Sequence, residues 1–233
     1  MSITIGIYDF FSYTVPGMIY LVVAYATLNL FRPITVDLHG VSDAIIWGSI
    51  ILLVLLSFLV GHLFDFISHR LWYRLFYRGN SQARAYEKFT KITGVKAAFN
   101  PREWTVLLGV IRHNNLQLSD AIDRNKATSI MLRNISYALF LLGIVLVVRV
   151  FISVDAWYLF AVLSVITLIA SAVSLRRSDD FNMGFYHMIY VQALMYGDSM
   201  EKVIEANRNA AGKSETTKRS AKSKGEGKSR KGG

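Results

Sequence analysis

An all-α integral membrane protein is the fold class this sequence predicts: four transmembrane helices in two hairpins, joined to a helical cytoplasmic layer. Three observations lead there. The hydrophobic residues, 53% of 233, are concentrated in four blocks, and each block reaches the ~20 residues that a helix needs to cross a ~30 Å hydrocarbon core. The 26 Lys and Arg keep out of those blocks almost entirely and fall on one side of them. No stretch alternates apolar and polar residues as a strand would, and no internal repeat is present. The division that follows is a first transmembrane hairpin over 7–67, a cytoplasmic helical segment over 68–133, a second hairpin over 134–175, C-terminal cytoplasmic helices over 176–209, and a disordered basic tail over 210–233.

The first crossing, within Tyr8–Phe31, is preceded by Asp9 and by no Lys or Arg. It therefore lacks the basic n-region of a signal peptide, and Ala24-Tyr25-Ala26, which mimics a cleavage site, lies inside the apolar run, so the segment is expected to stay in the membrane. Pro16-Gly17 removes a backbone donor and predicts a kink. Asp9, Tyr13, Gly17, Tyr20, Ala24 and Thr27 recur at three- and four-residue steps. That small and polar stripe is expected to face other helices, because small residues permit close approach in lipid.

After a short outer loop comes Ala44–Phe64, with His62 as its single ionisable residue. The same helix is expected to run on to Tyr77 as a charged, aromatic stalk. At about 100° per residue, Asp65 and His69 share a face with His62, together with Trp72, Tyr73, Phe76 and Tyr77, and that face is expected to look inward. Arg70, Arg74 and Arg78 fall on a neighbouring face, where they are expected to meet lipid phosphates or solvent.

Charge sets the orientation. Residues 68–133 hold twelve Lys and Arg and the chain from Arg176 onward holds twelve more, leaving Arg32 and Arg149 for the other side. By the positive-inside rule both of those segments, and with four crossings both termini, are cytoplasmic, in a bacterial inner (plasma) membrane. Trp47, Trp157 and Tyr158 fit the outer aromatic belt, and Arg149 is expected to snorkel to the interface.

Within 68–133, Ser81–Thr93 reads as a helix ended by Gly94. Asn100 can cap a helix beginning at Pro101, with Trp104, Leu107, Leu108 and Ile111 as its apolar stripe. Ser119 or Asp120 is expected to cap the next helix, which continues through Arg133 into the third crossing. After the fourth crossing (156–175), FNMGFYHMIYVQALMY is too short and polar to span and is expected to form a helix against the 68–133 layer. Asp198 and Glu201 resemble a capping box for a last short helix. The tail then collapses to Lys, Ser, Gly, Arg, Thr and Glu.

The absence of Cys excludes disulfides, thiolate metal sites and cysteine nucleophiles. No phosphate loop, dinucleotide glycine pattern, nucleophile elbow or His-Glu-x-x-His is present. Two readings compete for the polar rim cluster of Asp9, His62, Asp65 and His69. Imidazoles and carboxylates on one helical face can build a metal site. Alternatively they are architectural groups at a helix exit, with Asp65 paired to Arg133, Arg176 or a stalk arginine. The architectural reading is preferred, so no metal and no cofactor are expected. The tail offers charge without aromatics, which suits anionic lipid head groups or simple solvation rather than nucleic acid.

Tyr8-Asp9, Pro16-Gly17 and Ser129–Asn134 give the chain a resemblance to small uncharacterised four-helix bacterial inner-membrane proteins, a resemblance that implies no activity. The function expected is a non-enzymatic membrane anchor or scaffold for a cytoplasmic protein partner, self-associating as a homo-oligomer. The alternatives are an oligomeric pore or membrane-perturbing effector controlled by the cytoplasmic layer, and a membrane metalloenzyme using His62, Asp65 and His69.

Overall fold

A computed structural model describes residues 3–31, 43–72, 81–94, 103–152 and 156–195. All of the regular structure among them is helical: α1 (Ile3–Phe31), α2 (Asp43–Ile67) followed by a π-helical turn (Ser68–Trp72), α3 (Ser81–Thr93), α4 (Trp104–Asn114), α5 (Leu116–Ile152) and α6 (Trp157–Met195). Four of these helices, α1, α2, α5 and α6, are long and apolar enough to cross a membrane. They pack in the order α2, α1, α5, α6. α1 lies against both α2 and α5, α6 lies along α5, and α2 meets α5 over a small area.

The α1–α2 and α5–α6 interfaces are built on small residues. In α1, Gly17 abuts the carbonyl oxygen of Ser57, and Gly61 of α2 abuts that of Tyr13. A Cβ at either glycine would overlap backbone, so the two helices come closer than any side chain allows. Pro16 is buried within α1 and does not end it. The stripe predicted on α1 is interfacial from Tyr13 to Tyr20, whereas Ala24 is exposed.

The α5–α6 seam follows a seven-residue period. Ser129 and Ser178 exchange hydroxyl-to-carbonyl hydrogen bonds at 2.8 Å, each donating to the other's backbone. Ser136 and Ser171 repeat the exchange one heptad away, again at 2.8 Å. Gly143, a further heptad on, sits against Leu168 and Thr167. A strict seven-residue repeat of interfacial positions is the signature of left-handed supercoiling. Continued in the other direction, the same step reaches Ile122 and Phe185, both fully inside the apolar core of the layer.

That core is formed where α3 and α4 pack on the C-terminal half of α6. Ala85 and Phe89 of α3, Leu107 and Ile111 of α4, Ile122 of α5, and Phe185, Ile189, Tyr190 and Ala193 of α6 are buried together. Trp104 and Leu108 complete the predicted α4 stripe at its edge. The α3 helix stops at Gly94, whose N–H closes on the Thr90 carbonyl at 2.9 Å.

Three local expectations are corrected. The cap of α5 is Asn115, not Ser119 or Asp120: its side-chain oxygen accepts from the Leu118 N–H at 3.0 Å, while its own N–H closes α4 on Ile111 at 2.8 Å. One residue thus ends α4 and starts α5, and Ser119 instead accepts from Arg112. The segment after the fourth crossing is no separate helix, since α6 runs unbroken for 39 residues through Arg176–Asp180. Ser178 is held by the seam and Asp179 by α3, so the helix continues through those charged residues. The stalk is not a plain α-helix either, because it turns π-helical at Ser68. Residues 32–42, 73–80, 95–102, 153–155 and the chain beyond Met195 lie outside the described residues.

Candidate functional site

The rim, where the apolar stretches give way to charge, gathers side chains from α1, α2 and α5. Asp65 comes from the last turn of α2, Ser68 and His69 from the π turn that follows, Arg133 and Asn134 from the middle of α5, and Tyr20 from α1. Arg133 Nη2 donates to Asp65 Oδ1 at 2.6 Å, and Asn134 Nδ2 donates to the same oxygen at 2.9 Å. The Ser68 hydroxyl reaches the side-chain oxygen of Asn134. Arg133 Nη1 lies 3.0 Å from His69 Nδ1. Tyr20, stacked on Phe64 at 4.4 Å between centroids, donates its hydroxyl to the Asn134 backbone carbonyl at 3.1 Å.

Burial makes this cluster consequential. Asn134 and Ser68 are fully buried, and the Arg133 and Asp65 side chains are 11% and 24% exposed. A charge so placed needs its partner, since an unpaired ion in a low-dielectric site costs several kcal/mol, on the order of 3–5. Arg133 Nε is buried with no hydrogen-bond partner, so its guanidinium depends on Asp65 and His69.

The sequence-predicted residues are dispersed differently from the helical-wheel reading. Asp65 pairs with Arg133, one of the partners anticipated for it. His69 meets the same guanidinium from an exposed position rather than joining His62. His62 does not look inward: it is exposed, its ring edge-on to Tyr13 at 4.9 Å. Arg70 is exposed and lies 5.5 Å over the Phe66 ring. The side chain of Asp9 and residues Arg74 and Arg78 lie outside what is described. Among the described residues, no three of His, Asp and Glu come together to hold a metal.

Two further polar nodes went unread in the sequence. Asp179, on α6 just past the apolar stretch, is buried and accepts from the Ser81 hydroxyl at 2.7 Å and from Arg84. Both donors belong to the first turn of α3, so one carboxylate pins the start of that helix and complements its dipole. Lys126, two turns beyond the apolar part of α5, donates to Asn182 at 2.9 Å and lies 5.1 Å over the Phe185 ring. Burial, and secondarily the Arg133 charge, bring its amine down to about 8, against a smaller opposing pull from Asp65. The seam serines did carry a signal, seven-residue spacing in two blocks, but serine at such spacing is visible only when an antiparallel partner is sought.

Chemically, the rim holds ions, amides and hydroxyls that bind one another, and it links three long helices at one level. Comparison of the chain with protein-family models, with curated proteins and with solved structures finds no match.

Proposed function

We propose that this protein is a non-enzymatic membrane anchor that presents its helical layer to a cytoplasmic partner and associates with further copies of itself, in a bacterial inner membrane with both termini in the cytoplasm. The observation that supports this reading is the continuity of α5 and α6, which run for 37 and 39 residues from the apolar stretch into the layer. Helices of that length rise about 55 Å, nearly twice the ~30 Å of a hydrocarbon core. The layer is therefore an extension of the same two helices rather than a domain on a loop. Any load on the layer passes directly to the seam and to the rim cluster. Arg70, with Arg74 and Arg78, would meet anionic head groups.

Single cysteines at Thr35, Lys88 and Ser220 of this Cys-free chain test the topology. An impermeant reagent applied outside intact cells should label only the Thr35 position. Light scattering of the detergent-solubilised protein should give a mass above that of one chain. Labelling at Lys88 from outside, or a strictly monomeric mass, would defeat the reading. Ion flux above that of empty liposomes would replace it with the pore.

A further inference from the structure

The donor inventory at the rim dictates a protonation state. A guanidinium nitrogen can only donate, so the His69 ring nitrogen that lies 3.0 Å from Arg133 Nη1 must carry a lone pair. The imidazole that makes this bond is neutral, with its proton on the other nitrogen. The same contact sits at a mechanically exposed place. α2 packs along α1 and is tied to α5 at this end, through Asp65, Ser68 and His69 on one side and Arg133 and Asn134 on the other. The backbone of α2 becomes π-helical at Ser68, where the tie is made, and such turns are frequent at functional positions.

We propose that the His69–Arg133–Asp65 cluster is a proton-operated latch: protonation of His69 breaks its bond to Arg133, sets the imidazolium against the guanidinium for Asp65, and so loosens the end of α2 from α5. The groups that face the ring decide the direction. Asp65 stands on its own helix, and Arg133 and Lys126 face it from α5. A protonated ring therefore meets two like charges and one carboxylate, whose Oδ1 is already shared by Arg133 and Asn134. The imidazolium and the guanidinium then compete for Asp65. Arg133 loses an acceptor while its Nε is buried without one. Tyr20 on α1 bonds only the Asn134 backbone and does not restrain the ring. The latch is closed while the imidazole is neutral and opens only below the ~6.5 at which an ordinary imidazole charges, because burial and then the Arg133 charge hold the ring's proton affinity down. It needs no partner and no second copy, so it stands or falls separately from the anchor reading.

The test uses the full chain in lipid nanodiscs, with spin labels on Leu63→Cys of α2 and Val173→Cys of α6, both exposed positions. α6 is the reference because the serine seam holds it to α5. At pH ~7.5 one distance population is expected, and at pH ~5, below the imidazole range, a second and longer population should appear. A label pair on exposed positions of the two seam helices, Ile144→Cys of α5 with Val165→Cys of α6, should not move. His69→Gln keeps an acceptor that cannot be protonated and should hold the short distance at both pH values, whereas His69→Lys should show the long one at both. Imidazole nitrogen NMR of His69 should show an unprotonated Nδ1 at pH ~7.5, consistent with its neutral form. A pH-independent distance in the labelled wild type would overturn the proposal. So would a pH response that survives in His69→Gln, or a proton on Nδ1 at neutral pH.

Discussion

Removing the carboxylate of Asp179 should undock α3 while leaving the long helices in place. Its side chain is 3% exposed and that of Arg84 is 45% exposed, so the ion pair is half-screened and cannot be credited with the ~3–5 kcal/mol of a fully buried one. A charge-assisted hydrogen bond contributes about 1.5–3 kcal/mol, and a buried hydroxyl left without a partner costs about 1–3. Asp179→Asn retains an oxygen for Ser81 and loses the charge for Arg84, for a cost of about 1–2 kcal/mol. Asp179→Ala loses both and should cost about 2–3 kcal/mol. The energy is local, because Ser81 and Arg84 are the first turn of α3 and the rest of that helix is held by Ala85 and Phe89 on Tyr190 and its neighbours. Hydrogen exchange read by mass spectrometry is the suitable assay, since it resolves α3 from α5 and α6. For Asp179→Asn, exchange across α3 should accelerate roughly 5- to 30-fold, with the apolar parts of α5 and α6 unchanged. Arg84→Gln should cost less on the Asp179→Asn background than in the wild type, because the Arg84–Asp179 ion pair is already gone. Unchanged α3 exchange in Asp179→Ala would refute the argument, as would full additivity of the two substitutions.

Two other outcomes are expected. Gly61→Ala places a methyl group on the Tyr13 carbonyl and should cost about 1–3 kcal/mol of α1–α2 packing, read as a lower detergent-denaturation midpoint; Gly48→Ala, where the same Cβ meets nothing within 4 Å, should be silent. Burial lowers the Lys126 amine from 10.5 to about 8, so between those values the unfolded chain binds more protons and stability should rise with pH; in Lys126→Met the rise across that window should be smaller than in the wild type, by the same denaturation assay.

The class of this protein is a one-dimensional property. Four apolar blocks long enough for a bilayer, and Lys and Arg gathered on one side of them, can be counted along the chain, and solvent preference acts on each block independently of its neighbours. The α3 helix and the apolar stripe of α4 were legible for the same reason, since helical period and a terminal glycine are local signals. Where the sequence reading failed, the deciding partner was distant. His62 and Asp65 share a helical face, yet His62 sits edge-on to Tyr13 of α1, while Arg133 of α5 draws Asp65 and His69 to itself. Asp179 and Asp180 are adjacent and identical in the sequence, and only the docking of α3 makes one of them a buried anchor and leaves the other exposed. Ser129 and Ser178 are unremarkable until antiparallel packing sets each hydroxyl against the other's carbonyl. Hydrophobic length and net charge are sums over residues, so the chain alone determines them. A buried polar group takes its role from the acceptor or donor that packing delivers to it, which only the tertiary structure decides.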